Sequence, residues 1–246
     1  MSDILKKAAA YCRKLKEASL YFVCQEEIRE RQFEHNLHGQ LYGGGKGGVL
    51  GLTHSWIYDY QLIRFGKVFY ERRDLLEKDG KPDEVKNATL ETQLFRHKFV
   101  VFGPVGLLSE DNQPNFRTEW VGEDTVFGEK AYVIDVRPGP SAPKDALFGR
   151  VWLKADDSSV LRIAWDQTSL GNFDEIRKNA VTLDATPLVK FVSEYGVEKN
   201  GLRFPSLYSI REDYLSLESR SLDTYSITTV DYKKYRFFTV DVTVKD

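Results

Sequence analysis

Residues 148–166 read FGRVWLKADDSSVLRIAWD. Two runs rich in aliphatic, β-branched and aromatic residues flank a polar turn at 155–159, the pattern of a β-hairpin. Side chains alternate along a strand, so one register sorts the whole stretch into two faces. With Lys154 set opposite Val160, Leu153 faces Leu161, Val151 faces Ile163 and Gly149 faces Trp165, all on one dry side. Arg150, Lys154, Arg162 and Asp166 fall on the other side, with Trp152 among them. A sheet with one apolar face needs something to cover it, and the rest of the chain repeats the device.

Downstream, Asn200-Gly201 is the strongest turn signal, a two-residue type I′ hairpin. With Lys199 opposite Leu202, one face carries Val189, Phe191, Tyr195, Val197, Phe204, Tyr208 and Ile210. The other face pairs Glu198 with Arg203 and Lys190 with Arg211, and the second, like-charged pair weakens the register. Upstream, residues 116–137 form a hairpin around Phe127-Gly128, with AYVIDV as its return strand. Trp56, Tyr58, Tyr60 and Leu62 alternate, and Asp79-Gly80 marks another tight turn. Residues 90–100 read as a further strand, and Phe238, Val240, Val242 and Val244 alternate in a closing one. Near the start, YFVCQEEIRERQF reads as one long strand.

Three segments are helical. Over residues 3–18, Ile4, Ala8, Cys12, Leu15 and Ala18 make an apolar stripe, and Lys6, Lys7, Arg13, Lys14 and Lys16 lie largely outside it. Short helices are expected near 104–111, opened by Pro104, and near 173–183, where Ile176, Ala180 and Leu183 share a side. About eleven strands in consecutive hairpins must be antiparallel, and a single sheet that large curls or closes. The expected fold is mainly β with a few helices (α+β). It is one strongly curved sheet, a half-open barrel, with the N-terminal helix and short lid helices on the concave face. Residues 1–246 form a single domain with no linker.

The 246 residues are 41% hydrophobic and 13% aromatic, enough for a sizeable core, and Tyr and Phe far outnumber the single Met, which suits sheets. A net charge of -2 with mixed signs gives no basic stripe for nucleic acid. No run is long enough for a transmembrane helix, because Gly103, Pro104 and Gly106 break the longest apolar stretch. The opening MSDILKK has no apolar signal region. Either the protein is cytoplasmic as written or a secretory signal has been removed. Two cysteines are too few for a disulfide framework or a zinc site. Cys12 and Cys24 are either two buried thiols or, at a favourable crossing of helix and strand, a disulfide.

Catalytic and cofactor signatures are weak. Gly43, Gly45 and Gly48 have G-x-G-x-x-G spacing, but the segment that follows alternates like a strand. Lys46 is followed by Gly, so there is no P-loop either. Residues 39–51 are read as a loop, and no cofactor is expected. His35, His38, His54 and His97 lack acidic or cysteine companions for a metal. There is no G-x-S-x-G elbow, and Asp156-Asp157 sits in a turn, where Asp serves local backbone bonds. What remains is shape. Trp56, Trp120, Trp152 and Trp165 are candidate liners of the inner face, with plain core as the alternative for each. Trp165 leads, since Gly149 opposite leaves space.

The run VGEDTVFGEKAYVIDV, then GRVWLKADDSSVLRIAWD, then KFVSEYGVEKNGLRFPSLYSI resembles the outer-membrane lipoprotein-sorting (LolA/LolB-like) family. The N-terminal helix leading into a long strand is similar too. The resemblance implies a half-barrel with a helical lid over an apolar cavity, a periplasmic location, and carriage of lipid or acylated lipoprotein without chemistry. By that analogy Phe102, Val105, Leu107, Leu108 and Ile176 are lid residues. The cavity candidates are Val151, Leu153, Leu161, Ile163, Trp165, Phe191, Tyr195, Tyr208, Ile210 and Trp56. The partners are then a lipid or lipoprotein and membrane-associated proteins. The chain departs from the simple carriers in its length and in residues 39–51. A second reading keeps the scaffold as a protein-interaction or sensor module with a filled cavity, and an enzyme is the third.

Overall fold

The computed structural model describes residues 1–17, 22–34, 49–65, 68–92, 94–95 and 99–238. The strands are β1 (Phe22–Glu34), β2 (Val49–Phe65), β3 (Val68–Lys78), β4 (Lys81–Val85), β5 (Phe116–Val126), β6 (Glu129–Pro138), β7 (Gly149–Lys154) and β8 (Val160–Trp165). They continue with β9 (Ala185–Glu194), β10 (Val197–Lys199), β11 (Leu202–Phe204), β12 (Leu207–Ser216) and β13 (Leu222–Phe237). The helices are α1 (Ser2–Glu17), α2 (Gly103–Leu108) and α3 (Phe173–Thr182).

Eleven strands form one sheet in the order β4-β3-β2-β1-β13-β12-β9-β8-β7-β6-β5, and β10 and β11 make a separate ribbon. Each pairing is antiparallel, as hairpin connections require. The ends of the chain meet in mid-sheet, where Glu30 of β1 lies opposite Thr228 of β13. β4 and β5 are the free edges, so the sheet is an open half-barrel. One hydrophobic core fills the concave side, with Val151, Leu153 and Ile163 fully buried. The outer face of β6 to β9 is charged and paired. Arg150 meets Asp135 at 2.6 Å, Lys154 meets Glu129 at 2.7 Å and Arg162 meets Glu194 at 2.8 Å. Such solvent-facing pairs set which side is wet more than they add stability.

The expected turns form as read. Asn200 and Gly201 take φ of 54° and 72°, and Asp79 and Gly80 take 49° and 75°. Lys199 pairs with Leu202, and farther up the hairpin Lys190 stands opposite Arg211. The like-charged pair is tolerated because Arg211 donates to Asp213 at 2.8 Å and to Thr224 at 2.7 Å. α1 packs its Ala8, Cys12 and Leu15 stripe inward. Gln113 Nε2, just before β5, donates to the Leu5 carbonyl of α1 at 2.9 Å, and Tyr11 Oη donates to the Arg203 carbonyl of β11 at 3.5 Å.

Several expectations are corrected. Val160, not Leu161, lies opposite Leu153, because the register shifts between Trp152 and Leu153. The extra residue is a β-bulge. It takes Leu161 out of the concave core into a small outer cluster with Val126, Ala131 and Trp152. Trp152 stays on that outer face and donates to Asp124 at 2.9 Å. Trp120 is 44% exposed on the edge strand β5 and lines nothing inside. Gly149 does pair with Trp165, but it leaves no gap there. A Cβ would overlap the Ala164 carbonyl oxygen and come within 2.7 Å of Trp165 Cα. Cys12 and Cys24 are both free and buried. The disulfide fails because Cys12 Sγ turns toward the Pro104 carbonyl of α2, 3.5 Å away, while Cys24 faces the core from β1. Of residues 90–100, the described ones lie in no strand, and Val100 opens a single 3₁₀ turn over Val100–Phe102. The C-terminal strand paired with β1 is β13, ending at Phe237. Residues 239–246, 39–48, His35, His38 and His97 lie outside the described residues.

Candidate functional site

A pocket of about 450 Å³ opens on the concave face. Its floor comes from three adjacent strands: Trp165 ends β8, Phe191 and Ser193 stand on β9, and Tyr208 stands on β12. The three aromatic rings form a continuous surface. Trp165 stacks on Phe191 at 5.6 Å, and Phe191 meets Tyr208 at 5.1 Å. Strand alternation places them together, because Trp165 pairs with Phe191 and Ser193 with Tyr208. The indole N–H of Trp165 donates to Ser193 Oγ at 3.0 Å, so the floor keeps its polar atoms occupied.

The roof is the 3₁₀ turn and α2, which contribute Phe99, Val100, Phe102, Gly103, Gly106 and Leu107. One side wall is the proline-containing loop between β6 and β7, with Pro143, Ala146 and Leu147. Polar groups lie at Asn112, whose amide donates to the Val105 carbonyl at 3.0 Å, and at the exposed Asp145. The lining is thus mostly apolar with a few polar groups, the usual composition of a small-molecule pocket.

The roof is fastened to the sheet. Phe99 takes a left-handed φ of 55°, strained for a bulky residue. Its N–H donates to the Glu71 carboxylate at 2.6 Å. Glu71 also accepts from Tyr60 Oη at 2.9 Å and from Arg73 at 3.3 Å. Arg73 forks onto the fully buried Glu26 at 2.6 and 3.0 Å and lies 4.9 Å over the Tyr60 ring. Burial opposes the charge on Arg73, but attraction from Glu26 and then Glu71 more than reverses this and raises its pKa. Farther along, Tyr195 Oη donates to the Val100 carbonyl at 3.0 Å. Burial pushes the Tyr195 phenol well above its ordinary range, so it remains a donor. Gly103 then seats directly on the floor, where a Cβ would overlap Tyr195 Oη and press on Trp165 at 3.3 Å.

Of the cavity candidates, Trp165, Phe191 and Tyr208 line the pocket, and of the lid candidates Phe102 and Leu107 do. Val151, Leu153 and Ile163 are solid core under the concave face. Tyr195 is fully buried and acts through the roof. Ile210 is half-buried beside Phe191, and Trp56 is buried on β2, outside the lining. Val105 and Leu108 belong to α2 but pack into the core. Ile176 is buried under α3, where Tyr214 Oη donates to its carbonyl at 3.4 Å. Phe99 and the 143–147 wall were not anticipated, since irregular segments carry no periodic signal, nor was Ser193, because it is a polar residue on the inward face of β9. Gly103 of GPVG was the available hint for close approach of α2. Among the described residues no group of His, Cys, Asp and Glu is placed to hold a metal ion, and His54 stands 3.1 Å from Asp79.

Comparison with solved structures finds several chains to which this one is similar. A LolA superfamily protein from Nitrosomonas europaea matches at 13% identity with a TM-score of 0.39, covering 98% of this chain and 94% of that one. The chain resembles LolA-like proteins over nearly its whole length. A DUF1329 family protein from Desulfovibrio piger matches at 12% identity and TM-score 0.42, over 98% and 95% of the two chains. A putative outer membrane lipoprotein-sorting protein domain from Vibrio parahaemolyticus matches at 9% identity and TM-score 0.41, over 98% and 93%. No family model and no curated protein matches the sequence. At these TM-scores the half-barrel is read from its own strand order and register. Among the described residues no helix is long and apolar enough to cross a membrane.

Proposed function

We propose that this protein is a non-catalytic binder or carrier of a single acyl chain, from a lipid or an acylated lipoprotein. The observation that carries the reading is the open, aromatic-floored pocket of about 450 Å³ beneath a helical roof. It exceeds the ~300 Å³ at which ligand pockets begin, which favours a bound ligand over a filled interaction scaffold. Each methylene moved from water into such a pocket contributes about 0.8 kcal/mol. The location that fits this role is the periplasm, with membrane-associated proteins as donors and acceptors of the cargo. The buried carboxylates fit a structural role: Glu26 is taken by Arg73, and Glu30 accepts two backbone N–H groups.

The test is a titration of delipidated protein with a fluorescent fatty-acid probe. Saturable one-to-one binding is expected, and Leu107→Trp, which fills the roof side of the pocket, should weaken it at least tenfold. Absence of saturable binding by the native protein would sink the proposal.

A further inference from the structure

One row of the sheet runs across the concave face from Trp165 to Phe191, Ile210, Thr228 and Glu30, each residue opposite the next. The row is apolar over its first three positions. It turns polar at Thr228 and Glu30, both buried. An alkyl chain lying on the aromatic floor and growing along this row would reach that polar stretch. Phe95 stands at the change. Its side chain is fully buried, and its ring meets Tyr208 edge-on at 5.0 Å. Tyr208 lines the pocket, and Phe95 does not. Phe95 therefore backs the pocket wall from behind.

The backbone holding that ring is pinned. Phe95 N–H donates to Glu30 at 2.6 Å, and Leu94 N–H donates to the same oxygen at 2.9 Å. The Phe95 carbonyl accepts from Thr92 Oγ1 at 2.5 Å. Hydrogen bonds to a carboxylate are stronger than neutral ones. Glu30 thus fixes the segment from the polar side while the ring closes the apolar side. Tyr208 is held between Phe191 and Phe95, so it cannot swing away to lengthen the pocket unless Phe95 yields.

We infer that Phe95, acting through Tyr208, is the stop that sets the longest acyl chain the pocket admits. The inference rests on the acyl-binding reading and adds a length preference to it. Phe95 is a positioning residue, since Tyr208 makes the contact. Replacing the ring by Ala removes six carbons behind Tyr208 and opens room for about three methylenes.

Saturated fatty acids of graded length, displacing a fluorescent fatty-acid probe from delipidated protein, test it. In the native protein affinity should rise about fourfold per methylene to a cut-off and then flatten. Phe95→Ala should move the cut-off about three carbons longer, and Phe95→Leu by about one. The leucine variant keeps an aliphatic side chain in the core and provides the test if the alanine variant does not fold. An identical cut-off in the native protein and either folded variant would overturn the stop. Failure of the native protein to bind at any length would instead overturn the acyl-binding reading.

Discussion

Cys12 and Cys24 sit in the same core but face different neighbours. Burial disfavours the thiolate, and it pushes the Cys12 thiol up to about 12. Cys24 is raised further, by burial first and then by the nearby Glu26 charge. A raised thiol pKa means the protonated, unreactive form at neutral and mildly alkaline pH. In the native protein neither cysteine should react with a thiol reagent near pH 8, and both should react in strong denaturant. Absence of free thiol in denaturant would mean a disulfide. At the same scale, single residues explain where alternation misleads. Leu161 has the hydrophobicity and spacing of a core residue, yet one bulge sends it to the outer face. Gly149 was legible as a special position, but for the wrong reason. It admits the Ala164–Trp165 backbone, not a ligand.

On the acyl-binding reading, the roof is the element that controls access to the pocket. α2 is six residues long, too short to hold itself in place. It depends on contacts at Phe99, Val100, Gly103 and Pro104 with the sheet and α1. A neutral hydrogen bond such as that from Tyr195 to the Val100 carbonyl contributes about 1 kcal/mol net. Tyr195→Phe should therefore release a bound probe about fivefold faster in stopped-flow measurements, with a loss of global stability near 1 kcal/mol. Unchanged release would mean that the roof does not gate the pocket. Elements with regular patterns were legible from sequence: the amphipathic α1, the Asn200-Gly201 hairpin and the 148–166 hairpin. β13 was not, because its inward positions include Ser226 and Thr228, and although β1 was read as a strand, the inward burial of its Glu26 and Glu30 was not legible. Hydrophobic alternation is blind to polar residues that are buried through hydrogen bonds. The 143–147 loop carries no periodic pattern, and nothing in its composition says that it folds against the pocket.

In the whole molecule, β1 and β13 join the two ends of the chain at the centre of an eleven-stranded sheet. The sheet curls without closing, so its concave face must be covered by something other than strands. On the β1–β3 side, side chains and the buried Glu26–Arg73–Glu71 network fill it. Removing one member of such a network strands a buried charge, so substitutions there cost stability. On the β8–β12 side the cover is α2 and the 143–147 loop, and there a pocket remains. The central claim is that an acyl chain occupies this pocket. Photo-crosslinking with a diazirine-bearing fatty acid, followed by peptide mapping, tests it most directly. Labels should concentrate on residues 99–107, 143–147, 191–193 and 208 and be competed by unlabelled fatty acid. Labels scattered over the outer face, or clustered at the exposed Trp120 edge and not competed, would contradict the account.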